Sequence, residues 1–148
     1  MPDYKKGDAD SLAMAISMMS AITGDEVYQN RFCTGNLSAH DGSIGSVKNV
    51  FDRALGVNRW HELMAEEDDK HFFMFPADSF RDLSEHILTS PHPVEDNVEM
   101  VPVMNFEQAY YLSTALEITA EDIEHLPERA SEHYVKVKER LAKRVSEL

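Results

Sequence analysis

The segment Gly7-Asp8-Ala9-Asp10-Ser11-Leu12-Ala13-Met14-Ala15 sets a short polar turn directly ahead of an apolar helix. The start of a helix leaves backbone N–H groups unpaired and carries partial positive charge. A nucleophile held there would have donors for a developing oxyanion within reach, with Asp10 and Ser11 at that helix start. Most such turns are simply caps, so the spacing alone leaves a structural role open.

The elements that must position these residues alternate between helical and extended signals, which predicts an α/β (α+β) layer fold. A helix is expected from about Asp8 to Thr23, closed by Gly24. Its apolar residues Leu12, Met14, Ile16, Met18, Met19 and Ile22 run nearly all the way round, predicting burial on most sides. Met14, Met18 and Met19 read as gap-filling core residues. Residues 27–37 read as extended, interrupted by Thr34-Gly35-Asn36, with a tight turn at His40-Asp41-Gly42. A second helix is expected from Gly45 to Leu55, stopping at Gly56.

The stretch from His61 to Lys70, with Glu66-Glu67-Asp68-Asp69, reads as a surface excursion. His71-Phe72-Phe73-Met74-Phe75 before Pro76 reads as a buried strand. A helix over 78–87 broken by Pro91-His92-Pro93, a strand over 98–103 and a helix over 106–116 follow. Thr119 is a plausible N-cap, and Pro127 could open a last helix reaching Leu148 with a thin apolar stripe. That helix is expected to pack on another part of a larger protein.

This succession resembles the proteolytic domain of Lon-family serine proteases, Ser–Lys dyad enzymes, in a Lon-like branch with Gly-Asp ahead of the serine. The likeness rests on residues 7–15 and Ser20-Ala21-Ile22-Thr23-Gly24, and on Cys33-Thr34-Gly35-Asn36-Leu37. It continues through Gly45-Ser46-Val47-Lys48 to Arg53-Ala54-Leu55-Gly56 and the strands at 71–76 and 98–103, spanning about residues 7–117. It implies a small mixed sheet packed by helices over residues 1–118, with residues 119–148 as a C-terminal helical extension. It places Ala9 at the nucleophile position, where the family has serine, and Lys48 as general base. Thr34 becomes the residue that hydrogen-bonds the lysine. Lys48 lies 39 positions after Ala9, a few fewer than the family spacing, a deficit assigned to a shortened hairpin around His40-Asp41-Gly42. Anchoring on the glycine-rich turn instead moves the lysine position towards Val50. The family also has strands and a helix ahead of the serine. Only eight residues precede Ala9, so the N-terminal part of the domain is expected to be missing.

The resemblance implies a serine endopeptidase acting on unfolded or damaged proteins and peptides, in a homo-oligomeric ring, most often a hexamer. Ala9 cannot attack a carbonyl, and loss of a serine nucleophile costs on the order of 10⁶ in turnover. Either the serine was replaced to stop self-cleavage, which retention of Lys48 and Thr34 favours, or the chain is a natural pseudoprotease serving oligomerisation or docking. Ser11 as a nucleophile in a shifted register is disfavoured, because two positions rotate a helical side chain by roughly 200°.

No cofactor is expected in the chain. ATP could enter only through a missing or partner ATPase module, since no phosphate-binding Gly-x-x-x-x-Gly-Lys-Ser/Thr occurs. His61 and His71 flank the acidic run without a metal-ligand spacing, so no metal is expected. A triad through the adjacent His40 and Asp41 is discounted. Trp60, Phe72, Phe73 and Phe75 read as core or subunit-contact residues. The net charge of −13, from 27 acidic and 14 basic residues, argues against nucleic acid and anionic membranes. The single Cys33 cannot form an internal disulfide. Without a signal-peptide pattern or a spanning run, a cytoplasmic protein is the default. A third class, an acidic interaction domain unrelated to proteolysis, would need neither activity nor a buried Lys48.

Overall fold

The computed structural model describes residues 10–64, 70–89 and 97–148. The chain opens with α1 (Ser11–Thr23), followed by β1 (Arg31–Cys33), β2 (Asn36–Leu37) and β3 (Ile44–Gly45). Next come α2 (Val50–Met64), β4 (His71–Pro76), α3 (Phe80–Thr89) and β5 (Val98–Val103). The remainder is helical, as α4 (Phe106–Thr114), α5 (Ala120–Glu124) and α6 (Leu126–Ser146).

The sheet is three-stranded and parallel, in the order β1-β4-β5. Among the described residues it is not mixed, because β2 and β3 form a separate antiparallel hairpin. The central strand reads His-Phe-Phe-Met-Phe-Pro and all six residues are buried. A continuous apolar run of this kind suits a parallel strand covered on both faces. Strand alternation then divides it. Phe72 and Met74 join Leu12, Ile16, Val101 and Tyr110 on the face covered by α1, α4 and α6. Phe73 and Phe75 join Val50, Ala54, Leu83 and Val98 on the face covered by α2 and α3.

Several expectations need correction. α2 begins at Val50, not Gly45, and passes through Gly56 to Met64. The buried series Val50, Phe51, Ala54 and Val57 continues one inward face past the glycine. That packing outweighs the roughly 1 kcal/mol a mid-helix glycine costs. α1 is not buried all round. Leu12 and Ile16 face the core, while Met14, Met18 and Ile22 are exposed, so of the three methionines only Met19 packs against the interior. α4 stops at Thr114.

Leu126, Ala130 and Val137 of α6 are buried in the cluster that holds Leu12 and Tyr110. Thr119 does cap α5, accepting from the Asp122 N–H while the Asp122 carboxylate accepts from the Thr119 N–H. Phe72, Phe73 and Phe75 are core, whereas Trp60 is 38% exposed and meets Phe32 and His71 edge-on. The acidic run 66–69 and Pro91-His92-Pro93 lie outside the described residues. Among the described residues no helix is long and apolar enough to cross a membrane.

Candidate functional site

Parallel sheets carry their chemistry at the carboxyl ends of strands. Here that end of β1 runs into Thr34 and Gly35, against the start of α1. The Leu12 N–H and the Ser11 hydroxyl both donate to the Gly35 carbonyl, each at 3.3 Å. Ser11 Oγ in turn accepts the Leu37 N–H at 2.8 Å. The approach is so close that a Cβ on Gly35 would stand 2.6 Å from Ile44 Cγ2 and 3.1 Å from Leu12 Cδ2. Only glycine lets the first turn of α1 lie on this strand end. Sequence reasoning took Gly35 as an interruption and missed this role.

Ala9, the expected nucleophile position, lies outside the described residues. Asp10 is exposed and precedes α1 without a capping hydrogen bond from its side chain. Ser11 is a bridging hydroxyl between α1 and the hairpin, which gives it a structural task. Of the oxyanion donors expected at this helix start, the Leu12 amide is directed to Gly35.

Thr34 is 2% exposed, and its N–H donates to the Met74 carbonyl at 3.1 Å, extending the β1–β4 pairing. Cys33, beside it, is partly buried. Burial first, and the Asp10 carboxylate second, push its thiol up to about 12.

Lys48 belongs to the turn before α2, not to the helix, and its side chain is exposed. Asn49 has a left-handed backbone (φ 63) and ends this turn. Ser79 pins the turn from the α3 side: its hydroxyl accepts the Val47 N–H at 3.3 Å and donates to the Val47 carbonyl at 3.5 Å. Nothing in the sequence signals that contact. The residue that turns inward at the head of α2 is Val50, 0% exposed among Phe73, Phe75 and Leu83. The structure therefore brings Ser11, Cys33 and Thr34 together at the end of β1 and leaves the Lys48 side chain in solvent.

Of the histidines weighed for metal, His71 is buried in β4 beside Phe32 and Trp60. Among the described residues no group of three His, Cys, Asp or Glu side chains could hold a metal ion. His40 is exposed in the hairpin turn, and Asp41 accepts hydrogen bonds from the Ser43 N–H and hydroxyl. No protein-family model matches the sequence, and no curated protein matches it.

Proposed function

We propose that this chain is a non-catalytic Lon-like module that serves as a docking scaffold. The observation that carries the reading is the contrast at the head of α2, where Lys48 is exposed in the turn and Val50 is fully buried. A serine–lysine dyad needs an amine kept neutral by a dry environment and facing the hydroxyl. An exposed lysine in a turn meets neither demand. The inward position towards which the glycine-anchored alignment moves the lysine holds an aliphatic side chain.

The other half of a dyad is equally poor. Alanine stands at position 9, Ser11 hydrogen-bonds the Gly35 carbonyl and the Leu37 amide, and burial pushes the Cys33 thiol up. An α/β fold with Ala9 at the nucleophile position and Lys48 exposed supports a binding role over peptide hydrolysis.

The test is hydrolysis of a fluorescently labelled unfolded protein by the wild-type chain and by Ala9→Ser, with circular dichroism as the folding control. Both are expected to be silent. Hydrolysis by Ala9→Ser that Lys48→Ala abolishes would replace this reading with the endopeptidase one, in which Ala9 is a deliberate substitution.

A further inference from the structure

Helix α1 carries no charged side chain in any of its 13 residues. Helices on a water-facing surface ordinarily place charge on the outward side. Here the outward line is Met14, Met18 and Ile22, four residues apart each time and 62%, 64% and 44% exposed. Alongside runs a groove of about 550 Å³ between α1, the β2–β3 hairpin, the start of α4 and α6. Met18, Met19, Ile22, Leu37, Phe106 and Leu141 give it apolar walls. Phe106 is stacked on Tyr110 and meets Tyr134 edge-on, so the aromatic part of the wall is held in place.

Among the described residues two charged side chains line the groove, Asp41 and Glu107, and both are acidic. Asp41 is fixed by the Ser43 N–H at 3.0 Å and the Ser43 hydroxyl at 2.7 Å. Lys138 on α6 is engaged with the ring of Tyr134, 5.7 Å from its centroid, and is not among the lining residues.

We propose that this groove receives an amphipathic segment of a different protein, with apolar side chains against Met18, Ile22 and Phe106 and lysine or arginine side chains at Asp41 and Glu107. Helix-in-groove recognition uses an apolar stripe of this kind. The charge selects the occupant. A net charge of −13 repels a second copy on approach and attracts a basic chain. Acidic groups at the edge of an apolar groove add orientation and association rate for the same partner. The inference rests on the docking reading above and names what docks.

The test uses the full chain and two synthetic labelled peptides sharing one apolar helical stripe, one with lysines and one with glutamates at the remaining positions. Fluorescence anisotropy should show binding of the lysine peptide that weakens with salt, and binding of the glutamate peptide lower by at least ~tenfold. The double variant Met18→Asp/Ile22→Asp, with a wild-type circular dichroism spectrum, should lose the lysine peptide by ~tenfold or more. Asp41→Lys/Glu107→Lys should narrow or invert the preference between the peptides. Equal binding of both peptides, binding of neither to the wild-type chain, or full affinity in Met18→Asp/Ile22→Asp would overturn the proposal. So would self-association by sedimentation equilibrium that Met18→Asp dissolves, which would give the face to a second copy. Peptidase activity in Ala9→Ser would overturn the docking reading through a different assay, while a failed peptide titration would leave inactivity unexplained by any partner and remove this inference alone.

Discussion

Arg140 of α6 holds both carboxylate oxygens of Asp25, the second residue past α1, at 2.8 and 2.9 Å. One of those oxygens also accepts the Tyr110 hydroxyl at 2.7 Å and the Thr23 hydroxyl at 2.9 Å. Four side chains thus tie α1, α4 and α6 together on one face of the sheet. Burial by itself would raise the Asp25 carboxyl. The hydrogen bonds from Tyr110, Arg140 and Thr23 outweigh it and hold the group below its ordinary value of 3.8.

A depressed carboxylate contributes stability that is present above its unfolded value and lost as pH falls through its folded value. Thermal unfolding of the wild type should therefore decline as pH drops below about 3.8, and Asp25→Asn should show a shallower decline there. At neutral pH Asp25→Asn is expected to cost about 1–2 kcal/mol, allowing for solvent around the half-exposed Arg140. Equal acid limbs in calorimetry of the two proteins would remove Asp25 from this role.

Gly35 ahead of the hairpin and Gly56 inside α2 should respond oppositely to alanine. Gly35→Ala places a methyl 2.6 Å from Ile44 Cγ2, and the overpacking should cost roughly 1–3 kcal/mol. Gly56 has nothing within 4 Å of a built Cβ and lies inside α2. Gly56→Ala should therefore stabilise by about 0.5–1 kcal/mol. Urea denaturation midpoints of the pair check both signs.

The layer order was legible because each signal is local. The short apolar run at 71–76, bounded by Pro76, is best read as a buried strand, and Gly24 and Thr119 punctuate helices through their own backbone and side chain. The head of α2 was not legible. Its start depends on Asn49 taking a left-handed backbone and on Ser79 reaching Val47 from 32 positions away, neither of which the sequence around Lys48 records. The same holds for α1, where hydropathy treats Leu12 and Met14 alike. Only the position of the sheet buries one and exposes the other. At the candidate site the sequence put Ser11 at a helix start, but its bridging role needed the geometry of Gly35.

The contrast at the head of α2 has a stability signature independent of any activity. Lys48→Ala removes an exposed side chain in a turn and should shift stability by no more than ~0.5 kcal/mol. Val50→Ala leaves a cavity beside Phe73 and Phe75 and should cost about 2 kcal/mol. Chemical denaturation distinguishes them directly. A Lys48→Ala loss as large as that of Val50→Ala would mean that the lysine side chain is held inside the protein and would revive it as a candidate base.

Ser11 supplies the last separation between structure and chemistry. Its hydroxyl accepts the Leu37 N–H and donates to Gly35, so Ser11→Ala strips a hydrogen-bond acceptor from a partly buried amide. That should cost about 1–2 kcal/mol and loosen the β2–β3 hairpin, seen as faster amide exchange at Leu37. A nucleophilic serine would behave differently, because a fluorophosphonate probe would label it covalently. The wild-type chain is expected to stay unlabelled, since a hydroxyl held by the Gly35 carbonyl and the Leu37 amide is not free to approach the phosphorus. Labelling at Ser11 by peptide mapping would show that the bridge opens in solution and that the start of α1 still carries a reactive centre.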